Sequence, residues 1–166
     1  MGAPEVRASI LVAGVGNLFL GDDGFGPEVA RRLAAGRIPD GVRVVDYGIR
    51  GMHLAYDLLD GYDALVLVDA IPGIGQPGEL RVLEVGSDDL GEGAFDAHGM
   101  DPVSVLANLE ALGGTLPLTF VIGCQPGNVD ERIGLSPTVA AAVDEAARIV
   151  RDVIDDLIES RTVEVS

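Results

Sequence analysis

The chain has 166 residues, enough for one domain with a proper core, and 48% of them are hydrophobic, which favours a folded globule over disorder. Eleven cations face 27 anions, a formal charge of −16 that makes nucleic acid and anionic membranes poor partners. All eleven cations are Arg, and without Lys there can be no Walker-type phosphate loop, pyridoxal Schiff base or Ser–Lys dyad.

Aromatic residues make up only 4% of the chain, so Val, Ile, Leu and Ala must build the core, as in a buried sheet covered by helices. The first apolar run, Ser9–Val15, reads as a strand feeding the glycine loop Gly14–Gly26, and Pro27–Ala35 follows as a helix with Pro27 in its first turn. A second strand spans Val42–Asp46 and a short helix Met52–Leu59. The third strand is Ala64–Ala70. Only Ile71–Gly78, rich in Gly and Pro, separates it from the fourth, Glu79–Val85. That connection is too short for a crossover helix, so the fourth strand should run antiparallel to the third. Asp101-Pro102 opens a third helix, Val103–Leu112, and Leu118–Gly123 is the fifth strand. Ser136-Pro137 opens the longest helix, with the stripe Val139, Val143, Ala146, Val150, Val153 and Leu157 facing inward. Strands alternating with helices predict a three-layer α/β/α sandwich on a mixed sheet. Residues 1–166 read as a single domain without repeats or linkers.

In such sheets ligands gather beyond the carboxyl ends of the parallel strands. The polar residues expected there are Asn17, Asp22 and Asp23, then Asp46, Asp69, Cys124 and Gln125, with His98 in a Gly-rich loop before the third helix. The loop begins like a dinucleotide fingerprint at Gly14-Val-Gly16, but the third glycine position is Phe19, and its acids would repel a pyrophosphate. Asp23, Asp69 and His98 could instead form a set of two carboxylates and one imidazole, suited to a divalent metal with open coordination positions. Blander readings stand beside this one. Asp22 and Asp23 could bond local backbone, and His98 could be an exposed loop histidine. His53 is expected at the surface or in packing, and Cys124 as a small buried hydrophobe, with a Cys124–His98 nucleophilic pair as a lesser alternative.

These residues together resemble the [NiFe]-hydrogenase maturation endopeptidases. The resemblance rests on Gly14-Val-Gly-Asn17 with Asp22-Asp-Gly24, Asp46-Tyr-Gly-Ile-Arg-Gly-Met52, Leu67-Val-Asp-Ala70, Asp96-Ala-His98 and Ile133-Gly-Leu-Ser-Pro-Thr138, in order along nearly the whole chain. It implies a phosphorylase/hydrolase-like α/β/α sandwich whose five-stranded mixed sheet has the order 2-1-3-5-4, with strand 4 antiparallel. It also implies that Asp23, Asp69 and His98 bind nickel, or a substitute divalent ion, and carry catalysis. Asp23 is shorter than the Glu often found at that position in relatives. Asp46 falls on a further family Asp near the cleft, and Cys124 on no catalytic position.

The implied activity is a single proteolytic cut that removes a C-terminal extension from the hydrogenase large-subunit precursor after nickel insertion, with the nickel supplied by that precursor. No Ser–His–Asp order or other obvious hydroxyl nucleophile is visible, which favours metal-assisted attack by water, or a carboxylate acting as general base. Two rivals are a non-proteolytic nickel-binding checkpoint or chaperone for the same precursor, and an acid-pair endopeptidase of the spore-protease type. The lone cysteine, the missing signal-peptide pattern and the lack of ~18 consecutive apolar residues lead to the expectation of a cytoplasmic protein. The charged outer face of the last helix leads to the expectation of a monomer.

Overall fold

The computed structural model describes residues 8–86 and 102–165. Its centre is a five-stranded sheet: β1 (Ile10–Val15), β2 (Val42–Gly48), β3 (Ala64–Ala70), β4 (Leu80–Val85) and β5 (Leu118–Cys124). The order is β2-β1-β3-β5-β4, parallel except for β4, which pairs antiparallel with β5. Both order and direction agree with expectation. The short Ile71–Gly78 connection passes the end of β5 and re-enters the sheet at the end where β3 left it, so β4 reverses.

Among the described residues five α-helices accompany the sheet: α1 (Phe25–Ala34), α2 (Gly51–Leu58), α3 (Pro102–Ala111), α4 (Pro137–Ala140) and α5 (Val143–Val165). Strand parity divides the core between two faces. Ile10, Val12, Ala64, Val66 and Val68 pack with Phe25, Val29 and Leu33 of α1 and with Val143, Ala146 and Val150 of α5. Leu11, Ala13, Val15, Leu65 and Leu67 pack with Leu54 and Leu58 of α2 and Leu106 and Leu109 of α3. Every residue of β1 and β3 is buried, as expected for central parallel strands covered on both faces.

Two helix boundaries differ from the sequence reading. Residues Gly21–Gly24 form a 3-10 turn that runs straight into α1, so the helix begins at Phe25 and Pro27 still falls within its first turn. The last helix is also divided. Ala142 N–H donates to Val139, a tightened turn between α4 and α5 in a run of alanines without Gly or Pro. Close approach explains two glycines of the first motif. A Cβ on Gly26 would lie 2.3 Å from the Val68 carbonyl oxygen and 2.4 Å from that of Val15, and one on Gly14 would lie 2.3 Å from the Gly26 oxygen. The first turn of α1 therefore rests directly on the backbones of β1 and β3.

Candidate functional site

The carboxyl ends of β1, β2, β3 and β5 form one rim. The 3-10 turn carrying Asp22 and Asp23 sits on this rim and packs against β3. Asp23 is half-buried, and its Oδ2 accepts the Asn17 N–H at 2.8 Å. Asn17 in turn receives the Phe19 N–H on its side-chain oxygen at 2.9 Å. The loop after β1 is thus closed around the Asp23 carboxylate.

Asp69 lies at the end of β3, opposite Gly123 of β5, and is only 7% exposed. It alternates with Leu65 and Leu67, which places it on the face covered by α2 and α3. Asp46 pairs in register with Gly14 and follows the opposite parity, with Val42 and Val44 on the α1 face. Its Oδ1 accepts the Gly48 N–H at 2.9 Å, and Arg31 Nε of α1 lies 3.7 Å from its Oδ2. Asp23 and Asp69 therefore belong to touching elements at the rim, whereas Asp46 is engaged on the α1 side. His98 lies outside the described residues, so the set of Asp23, Asp69 and His98 is represented by its two carboxylates. Among the described residues no three His, Cys, Asp or Glu side chains gather as a metal site. The half-buried Asp23 and nearly buried Asp69 offer hard oxygen donors of the type a divalent cation takes, and in this respect they fit one.

Asp22 behaves differently from either sequence reading. It is wholly buried, and its acceptor bonds reach the stretch after β5, far beyond the local backbone. Burial alone would raise its pKa; the N–H groups of Asn128, Ser136 and Gly127 and the Ser136 hydroxyl more than offset that and hold the carboxyl below its ordinary value. Ser136 precedes α4 without a side-chain cap, and its hydroxyl donates to Asp22.

Gln125 holds another part of the rim. Its side-chain oxygen accepts the N–H groups of Ile74 and Gly75 at 2.8 and 3.3 Å, and its side-chain nitrogen donates to the Pro126 carbonyl at 3.1 Å. The turn behind Asp69 is thereby tied to the exit of β5. Cys124 is a fully buried free thiol, pushed up to about 11 by burial first and the charge of Asp22 second. That environment matches the structural reading and disfavours a thiolate nucleophile. His53 is exposed on α2, as expected. Beside the first loop lies a groove of about 470 Å³ whose lining includes Leu18, Phe19, Ile133 and Leu135. No helix among the described residues is long and apolar enough to cross a membrane.

Comparisons with known proteins give the family. Residues 27–153 match the family model described as hydrogenase maturation protease. The Hydrogenase 2 maturation protease of Escherichia coli is 33% identical over 142 residues, covering 82% of this chain and 85% of that protein. The hydrogenase maturating endopeptidase HybD from E. coli superposes with a TM-score of 0.75 at 30% identity, covering 89% of this chain and 92% of that one. The [NiFe] hydrogenase maturation protease HycI from Thermococcus kodakarensis gives a TM-score of 0.73 at 27% identity, over 90% of this chain and 94% of that one. The extent of the family match and the identity to the Escherichia coli protease lead to one conclusion: this chain belongs to the hydrogenase maturation protease family.

Proposed function

We propose that this protein is a nickel-dependent endopeptidase that removes the C-terminal extension of a [NiFe]-hydrogenase large-subunit precursor once nickel has been inserted. The observation that carries the reading is the pairing of a half-buried Asp23, held by the Asn17 N–H, with a nearly buried Asp69 on touching elements at one rim of the sheet. His98, just ahead of α3 in the chain, is the third member, and Asp69 lies on the sheet face that α3 covers. These three residues would hold the cation. When bound, it supplies Lewis-acid polarisation of the scissile carbonyl.

The chain's own groups do the rest. Asn17 fixes one oxygen of Asp23, and the other would serve the cation. Asp69, withdrawn from water, makes a strong electrostatic partner for positive charge brought by the precursor. A site with few protein donors binds firmly only when donors from the precursor complete it, so cutting would follow nickel loading. The client is a protein precursor, with no nucleic acid or membrane component, and the enzyme works as a cytoplasmic monomer.

The test is mass spectrometry of purified precursor, nickel-loaded or metal-free, after incubation with the enzyme. Loss of a C-terminal peptide from the loaded form alone is the expected result. An unshortened loaded precursor would convert the protein into a non-proteolytic nickel checkpoint. Cutting that survives chelator and His98→Ala would instead indicate an acid-pair protease.

A further inference from the structure

Asp22 has no part in the reaction assigned above, yet its carboxylate accepts four hydrogen bonds. It accepts Gly127 N–H at 2.8 Å, Asn128 N–H at 2.7 Å, Ser136 N–H at 2.6 Å and the Ser136 hydroxyl at 2.8 Å. The main chains of the same two segments are also joined. Asp22 N–H donates to the Asn128 carbonyl at 2.8 Å, Gly21 N–H to Arg132 at 2.9 Å and Arg132 N–H to Phe19 at 2.9 Å. Gly21 has φ +56°, and a Cβ there would lie 2.6 Å from the Asn128 oxygen, so the two backbones are in close contact.

Three of the four donors to Asp22 are backbone amides with fixed directions, so the carboxylate is satisfied in a narrow range of positions. Asp23 is the next residue of the same short turn. Its own N–H donates to Leu20 at 3.1 Å and its Oδ2 takes the Asn17 N–H. The direction of the Asp23 side chain therefore follows from a turn whose buried side is held by Asp22.

We propose that Asp22 is a positioning residue of the protease site: it fastens the segment after β5 to the 3-10 turn, and so fixes the Asp23 carboxylate where the cation is held. This rests on the role given to Asp23 above. A buckle that served stability alone would leave cation affinity and turnover unchanged in variants that still fold.

The experiment compares Asp22→Asn, Ser136→Ala and Ile154→Ala with the unaltered full chain, at a temperature where circular dichroism shows each one folded. Asn places an N–H₂ group among donors, Ser136→Ala deletes one donor, and Ile154→Ala weakens the α5 layer beside Leu33 and Val42, at the end of the sheet away from the rim, as a control. Three quantities are measured: Ni²⁺ affinity by calorimetry, kcat and KM on nickel-loaded precursor, and hydrogen exchange of the Asn17 amide in the metal-free chain. We expect Asp22→Asn and Ser136→Ala to weaken Ni²⁺ binding and lower kcat about tenfold, with KM within about twofold. Their Asn17 amide should exchange at least about tenfold faster, while Ile154→Ala leaves all three at wild-type values. Should Asp22→Asn not fold, Ser136→Ala decides. Wild-type Ni²⁺ affinity and Asn17 exchange in the folded variants would overturn the proposal. If the unaltered enzyme leaves precursor uncut, the proteolytic reading fails, and Asn17 exchange still decides whether Asp22 orients its neighbour.

Discussion

The phenol of Tyr47 on β2 donates to the Asp57 carboxylate on α2 at 2.6 Å, bridging the strand and the helix that follows it. Arg43, four residues earlier on the same side of the strand, lies 3.8 Å from the same Asp57 oxygen and donates to the Tyr62 hydroxyl at 3.3 Å. Tyr47 is only 2% exposed, so burial first and the Asp57 carboxylate second drive its pKa well above the ordinary 10.0. The folded chain therefore keeps a proton that the unfolded chain releases near pH 10. The stability linked to this proton is complete below about pH 10 and is lost as the pH rises above that value. Tyr47→Phe should cost about 1 kcal/mol at neutral pH and should reduce the alkaline fall in stability, as read by urea unfolding between pH 7 and pH 11. An unchanged alkaline slope would mean that Tyr47 is not its source.

Gly26→Ala tests the contact between helix and sheet. Its Cβ would press on the carbonyl oxygens of Val68 and Val15 at 2.3 and 2.4 Å, both backbone atoms of buried strands. The start of α1 would have to lift, carrying the turn with Asp23. A loss of roughly 1–3 kcal/mol is expected from chemical denaturation, with a fall in cleavage that outlasts correction for the unfolded fraction.

Cys124 should be inert. Burial and the neighbouring Asp22 charge keep its thiol protonated at neutral pH. A thiol reagent at pH 8 should label the native protein slowly and label one group per chain once urea is added. Cys124→Ala should retain precursor processing, with stability reduced by about 1 kcal/mol. Abolished processing in a folded Cys124→Ala chain would revive the thiol nucleophile.

The carboxylates of the rim should be needed for their charge. Asp23→Asn preserves an oxygen for the Asn17 N–H, and Asp69→Asn preserves the shape of the nearly buried side chain. Each should lower processing of nickel-loaded precursor by about 100-fold or more, with little change in the thermal midpoint. Rates within threefold of wild type in both variants would remove these residues from the reaction.

Much of this architecture can be read from the chain because it depends on local pattern. The alternation Ile10, Val12 against Leu11, Ala13 predicts a strand covered on both faces, and the short Ile71–Gly78 turn predicts the reversal of β4. Asp69, a charge closing an apolar strand, stands out for the same reason. The role of Asp22 is less accessible. Its partners lie 105 to 114 residues away, and a bond to a distant backbone amide leaves no periodic trace in either segment. Neighbouring acids in one loop look equivalent in sequence, although one is buried in a ring of donors and the other is half-exposed at the rim. The break between α4 and α5 is equally silent, since alanine favours helix on both sides of it.

Surface loops usually tolerate changes of length, but the Gln125 amide withdraws that freedom from two loops at once. It grips the turn behind Asp69 and the chain leaving β5 with a single side chain. A residue inserted into either loop would push against the other and carry the disturbance to both acidic positions. Swapping loops between such proteins should therefore succeed only when both pieces travel together.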